Sequence, residues 1–174
     1  MIWKISTGTG KKDKMPAARM SVDELAAYMQ AQGIQGEILH LGVPTPTVEA
    51  AALAVSATPE QIIKSILFLV DDQPVLAIAC GKSAIHRRPI ADLYGVGKKR
   101  VKLATPEMVL EISGYEVGAM PPFGHRLPLT TLIDPGVLKS PEAYAGGGAE
   151  NALVRLDPQE ILRVTGATIL DLLE

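Results

Sequence analysis

The run Gly114-Tyr115-Glu116-Val117-Gly118-Ala119-Met120-Pro121-Pro122-Phe123-Gly124-His125 packs three glycines and two prolines into one short stretch. Proline presets φ near about −65° and removes a backbone donor, whereas glycine permits positive φ and lets a ligand approach the main chain. Such a loop is stiff and bare at once, which suits a pocket wall, although a tight inter-strand loop without a ligand has the same composition. The second candidate is Lys64, inside the apolar run Ile62-Ile63-Lys64-Ser65-Ile66-Leu67-Phe68-Leu69-Val70. An ammonium in apolar surroundings needs a partner. Its head either points into a cleft or snorkels to solvent while its stem packs.

Other groups that could do chemistry are scattered. His125 follows the glycine-proline loop and could relay a proton near neutral pH, or cap backbone groups. Asp134 precedes Pro135 and either pairs with Lys64 or Arg126 or simply initiates an Asp-Pro turn. Gly146-Gly147-Gly148 could turn amides toward an anion or form a flexible hairpin loop. The single cysteine, Cys80, closes an apolar run and reads as a small core residue; His86, six positions on, gives no geometry for a nucleophilic pair. His40 ends a strand and reads as structural. No H-E-x-x-H or C-x-x-C spacing is present, so neither a metal nor a cofactor is expected.

The elements that must position these residues alternate between helix and strand. Ser21-Val22-Asp23-Glu24 is a capping box, predicting a helix with Leu25, Tyr28 and Met29 on one side and a stop at Gly33. Residues 37–41 predict a strand. Thr45 with Pro46 predicts a helix start running to Val55, and Thr58-Pro59 a short helix delivering Lys64 to a helix-to-strand joint. Residues 66–70 and 75–80 predict two strands joined by a hairpin turn at 71–74. Residues 89–94 predict a short helix ended by Gly95. Thr105-Pro106-Glu107 predicts a helix stopping at Gly114, so the pocket loop follows a helix end. Residues 127–133 and 152–156 predict strands, and Asp157-Pro158 the start of the last helix. An antiparallel hairpin with more strands than parallel crossovers allow gives an α+β class with a mixed sheet.

At 174 residues and 47% hydrophobic, the chain suits one domain with a single core. A net charge of −2 argues against a broad basic footprint, so any RNA contact is local, and no DNA partner is expected. Basic residues group at 86–88, at 98–102 and at Lys11, Lys12 and Lys14, where phosphate or plain solvent could meet them. One cysteine excludes an internal disulfide, and no run reaches the roughly 20 apolar residues of a membrane span; a cytoplasmic protein with no membrane partner is expected. Residues 1–20 read as an N-terminal extension and 21–174 as the functional domain.

Taken in order, Val43-Pro44-Thr45-Pro46-Thr47-Val48-Glu49-Ala50-Ala51, Ile63-Lys64-Ser65 opening an apolar strand, and Gly114-Tyr115 followed by Gly118-Ala119-Met120-Pro121-Pro122-Phe123-Gly124 resemble the YbaK and prolyl-tRNA synthetase editing-domain family of aminoacyl-tRNA deacylases. The resemblance runs from about residue 21 to about residue 166. It implies a mixed, partly barrel-like central sheet flanked by helices. It implies hydrolysis of a mischarged aminoacyl-tRNA carrying a small amino acid, alanine on the proline tRNA first, with cysteine, serine or threonine esters as the other candidates. The partners would be the aminoacylated 3′ end of tRNA and, transiently, a synthetase. Lys64 and Gly118 map onto the family's lysine and its G-x-x-x-P loop and are the expected catalytic residues, Lys64 anchoring the phosphate or orienting the aminoacyl end and Gly118 holding the substrate by backbone contacts. Ala119, Met120, Pro121, Pro122, Phe123, Gly124, His125, Asp134, Gly147 and Gly148 are the expected substrate-binding residues. Ala119 stands where many members carry glycine, so pocket dimensions do not transfer. The family's lack of a strong acid-base set fits substrate assistance by a ribose hydroxyl. Two other readings share the lysine and the loop: a non-catalytic module binding the tRNA 3′ end or a nucleotide, and an ordinary small-molecule hydrolase, which the missing G-x-S-x-G disfavours.

Overall fold

A computed structural model describes residues 17–173; the N-terminal reading and the lysine group at 11–14 lie outside, apart from the last residues of the expected extension. The capping box at Ser21 forms as expected: its hydroxyl accepts from the Glu24 amide while the Glu24 carboxylate accepts from the Ser21 amide, and helix α1 (Val22–Ala31) follows. Strand β1 (Gly36–His40) comes next. Helix α2 (Val48–Val55) starts later than Thr45-Pro46 suggested. Thr47 is the N-cap, accepting from the Ala50 amide, because Thr45 is buried and bonded instead to the carbonyl of Glu150.

Pro59–Gln61 makes one 3-10 turn, and the next strand, β2 (Ile63–Val70), already contains Lys64 as its second residue. Strand β3 (Gln73–Cys80) returns through a two-residue turn in which Asp71 and Asp72 both take positive φ, the geometry of the tight hairpins that match strand twist. Helix α3 (Arg87–Tyr94) is stopped at Gly95 in the left-handed region. A 3-10 turn, Lys98–Arg100, leads into the short strand β4 (Val101–Leu103), so the second basic group is half turn and half strand. Helix α4 (Pro106–Ser113) is capped by Thr105 and ended by Gly114 at φ +87°, as its sequence predicts.

The remaining elements are β5 (Thr130–Ile133), a 3-10 turn (Pro135–Lys139), β6 (Ala143–Gly146), β7 (Ala152–Leu156), α5 (Gln159–Thr165) and β8 (Thr168–Ile169). Two sheets result. One is mixed, in the order β4-β2-β3-β5-β8, with β3 parallel to β5 and β5 to β8; the other is antiparallel, β1-β7-β6. A single parallel bridge between Ile62 and Tyr144 joins their edges, and the sheets do not close into a barrel. The class is α+β, a single domain.

Strand periodicity explains why β2 is apolar on both faces. Leu67 and Leu69 point into a core shared with α1, α4, α5 and the second sheet, whereas Phe68 and Val70 point into a core covered by Ile90 and Ala91 of α3. A third cluster lays Ala51 and Ala52 of α2 over Ile62, Tyr144 and Leu153. The seam between the two sheets, beside α2, is where the chemistry-bearing residues collect.

Candidate active site

A cleft of about 210 Å³ opens at that seam. Five consecutive residues of the β2 region, Ile62 to Ser65 and Ile66, form one wall; Thr45 to Val48 and Ala51 form the second; Val117, Gly118, Met120, Gly146 and Leu153 close it. Alternating residues of one strand can line the same cleft because β4 pairs with β2 only at Phe68, Leu69 and Val70, leaving the edge of β2 at Lys64–Ile66 uncovered by β4.

Lys64 does not snorkel. Its Nζ donates to the carbonyl of Gly81 at 3.0 Å and to that of Ser83, both in the loop after β3. Burial lowers its pKa from the ordinary lysine range, with the neighbouring Cys80 acting in the opposite direction. An ammonium carries three donors, and two are held by these carbonyls. Among the described residues the third has no protein partner.

Gly118, another lining residue of the cleft, has φ +86°, and a Cβ placed there would meet nothing within 4 Å. Glycine is required here by conformation rather than by crowding. We expect Gly118→Ala to cost about 1–2 kcal/mol from the left-handed backbone alone, read as a lower urea midpoint, with the new methyl projecting into open space.

The rest of the loop builds the wall from behind. Ala119, Met120, Pro121, Pro122 and Phe123 are all buried, and of these only Met120 reaches the cleft. Phe123 stacks on Tyr28 with ring centroids 5.8 Å apart, and Gly124, at φ +72°, lies against that same tyrosine ring. His125 faces away from Lys64, toward a second cleft lined by Tyr28, Arg126 and Thr165. Its Nε2–H donates to the Pro121 carbonyl at 2.7 Å, a brace across the turn.

Burial pushes the His125 pKa down from 6.5 to about 4, partly offset by that hydrogen bond. The unfolded chain therefore binds more protons than the native one between about 4 and 6.5. We expect stability to be full above pH 6.5 and to fall as pH drops toward 4. Urea midpoints across that range should slope less steeply in His125→Gln than in the parent.

Asp134 takes the turn-initiating role. Its Oδ1 accepts from the Gly136 amide and its Oδ2 from the Leu172 amide, each at 2.8 Å, and among the described residues it forms no ion pair with Lys64 or Arg126. Arg126 is occupied by the carbonyls of Leu110, Glu111 and Ala18.

Gly147 and Gly148 do not present free amides. Gly147 donates to the Ala152 carbonyl and Gly148 to that of Ala119, both at 2.9 Å. Of the three glycines, Gly146 alone lines the cleft. The thiol of Cys80 is pushed up by burial first and by Asp134 second, which disfavours the thiolate a nucleophile needs.

The structure thus gathers Lys64, Gly118 and Met120 from the expected set, and adds Thr45, Pro46, Thr47, Ser65, Val117, Gly146 and Leu153. Thr45, Pro46 and Thr47 lie in the first stretch that carried the family resemblance, a signal that could have marked them. Gly146 belongs to the glycine run already marked as a candidate anion site, whereas Leu153 comes from the second sheet and nothing local announces it.

A family model for the aminoacyl-tRNA editing domain matches residues 43–164. The crystal structure of a candidate trans-editing enzyme for prolyl tRNA synthetase superposes with a TM-score of 0.81 at 34% identity, covering 88% of this chain and 96% of that one. A proline–tRNA ligase of Geobacillus sp. (strain WCH70) is 33% identical over 104 residues, 60% of this chain but 18% of the ligase. The uncharacterized protein YwhH of Bacillus subtilis (strain 168) is 24% identical over 143 residues, 82% of this chain and 89% of that protein.

Proposed function

Because the chain belongs to the aminoacyl-tRNA editing domain family, we propose that it is a free-standing deacylase that hydrolyses mischarged aminoacyl-tRNA carrying a small amino acid, alanine on the proline tRNA first. The observation that supports this reading is that Lys64 and Gly118 line the same cleft. Hydrolysis of the ester needs a water aimed at the carbonyl carbon, stabilisation of the oxygen that becomes negative, and a proton for the departing 3′ oxygen. Lys64 supplies a fixed positive charge with one free N–H. Gly118 lets the aminoacyl end lie against the main chain. No strong base lines the cleft, consistent with a ribose hydroxyl of the substrate helping to order the water.

The apolar walls, Val48, Ile62, Ile66, Met120 and Leu153, suit a small side chain. One methylene in such a pocket discriminates only about 10- to 200-fold, so a second hydrolytic check after a synthetase is physically reasonable. The loop that holds the Lys64 ammonium runs within a few residues into His86, Arg87 and Arg88 at the start of α3, and α3 packs against the turn of Lys98, Lys99 and Arg100. These exposed basic residues give phosphates of the acceptor stem a surface despite the net charge of −2. The cytoplasm is the compartment this role requires, and a transient encounter with the synthetase follows from sharing its product.

The test is release of free amino acid from separately prepared alanyl-, cysteinyl-, seryl-, threonyl- and prolyl-tRNA under multiple turnover. Rapid loss of one small aminoacyl group, with prolyl-tRNA for its own tRNA spared, supports the proposal. Binding of tRNA without turnover of any ester overturns it in favour of a 3′-end binding module.

A further inference from the structure

Among the described residues, one buried side-chain polar atom has no hydrogen-bond partner: Oγ of Ser65. Ser65 pairs with Ile78 across β3 and stands next to Lys64 on the edge of β2 that β4 leaves uncovered. It lines the cleft together with Ile63, Ile66, Gly118 and Met120. The other side-chain polar atoms of the cleft are engaged. Thr45 donates to the Glu150 carbonyl, Thr47 accepts from the Ala50 amide, and Lys64 holds two carbonyls. A buried hydroxyl without a partner costs about 1–3 kcal/mol, and the fold gains nothing from it that alanine would not supply.

Resting on the deacylase reading, we propose that the Ser65 hydroxyl is a catalytic residue that donates a hydrogen bond to the carbonyl oxygen of the bound aminoacyl ester. The positive charge of Lys64, the preceding residue of β2, favours an atom gaining negative charge in the cleft and disfavours the α-ammonium of the same substrate. The uncovered strand edge provides the approach. In the step, water oxygen bonds to the carbonyl carbon and the carbonyl electron pair moves onto the oxygen that Ser65 contacts. Collapse then breaks the bond to the 3′ oxygen, which leaves with the electron pair and takes a proton. The products are a free amino acid and a tRNA ending in a 3′ hydroxyl.

The experiment compares Ser65→Ala and Ser65→Thr with the parent by single-turnover alanine release from alanyl-tRNA for proline, and by urea midpoint. Removing one such donor should slow release by about 100-fold, while the midpoint stays level or rises and Ser65→Thr keeps most of the rate. A parental rate in Ser65→Ala overturns the proposal, as does a slowing matched by a lost fraction of folded protein. Slowing confined to seryl and threonyl esters also overturns it, moving the contact to the substrate side chain.

A parent that releases no amino acid from any ester sinks the deacylase reading itself. The Ser65 contact is then read from the affinity for 3′-alanylamido-3′-deoxyadenosine, a non-hydrolysable probe. Binding weakened about tenfold in Ser65→Ala, the worth of one hydrogen bond, supports the contact. Equal binding, or no binding by the parent, overturns it.

Discussion

Lys64→Ala should lower alanine release from alanyl-tRNA by about 10³-fold, the upper range for loss of a fixed electrostatic contact in a desolvated site, while the protein remains folded. The argument starts from position. Lys64 enters the cleft as the second residue of β2, and the Gly81 and Ser83 carbonyls fix its Nζ instead of letting it wander in solvent. Orientation by two carbonyls costs the ammonium little at the moment of reaction, because the group is already in place. The same bonds tie the 81–83 loop to β2, so truncation should also cost about 1–2 kcal/mol of stability. That figure is small enough to separate from the catalytic loss by measuring rate and urea midpoint on one preparation. Lys64→Met, which keeps most of the apolar stem, should lose the same activity with less of the packing. Full activity in both variants would remove Lys64 from the site.

Gly146→Ala should be strongly disruptive at the cleft. A Cβ at Gly146 would lie 2.4 Å from the carbonyl oxygen of Met120, 2.8 Å from its carbon and 2.9 Å from the oxygen of Ala119. All three are main-chain atoms, so the strain cannot be relieved by turning a side chain. The loop carrying Gly118 and Met120 must move away from β6, and the bond from the Gly148 amide to Ala119 stretches with it. We expect a loss of about 3 kcal/mol, at the top of the usual range for overpacking. Activity should fall further than the folded fraction does, because the displaced loop is the cleft wall. Gly95→Ala is the control: nothing lies within 4 Å of its Cβ and φ is +64°, so only the backbone penalty of about 1–2 kcal/mol applies. Equal midpoints for the two variants would contradict the close-approach account.

This glycine run shows where local sequence misleads. Gly146-Gly147-Gly148 reads as a ligand nest or a flexible hairpin loop; the hairpin between β6 and β7 is there, but Gly146 is demanded by a backbone crossing within van der Waals reach, against Met120. That crossing joins segments far apart in the chain. Local punctuation carried well where the partners were local: the Ser21 capping box, the Thr105 cap with its Gly114 stop, and the Asp71-Asp72 turn each close within a few residues. The start of α2 slipped from Thr45 to Thr47 because a distant carbonyl, that of Glu150, claims the first threonine.

Strands β4 and β6 carried little periodic signal of their own. Lysines hide the first, small residues the second, and both are set by pairing with β2 and β7. The site divides the same way. Lys64 and Gly118 stood out as an odd charge and an odd loop, and Thr45 and Ser65 lay in stretches that carried the family resemblance, whereas Leu153 becomes a cleft residue only once two sheets meet at one seam. His125 and Asp134, marked for their chemistry, are bonded to main-chain groups and brace the loops around the cleft.

The most direct test of the central claim is a single-turnover time course of alanine release from alanyl-tRNA for proline, with the parent chain and Lys64→Ala each in excess over substrate. Fast release by the parent, with Lys64→Ala near the spontaneous rate of the ester, is the predicted result. Equal rates for parent, variant and buffer, with the tRNA retained on the protein, would contradict it.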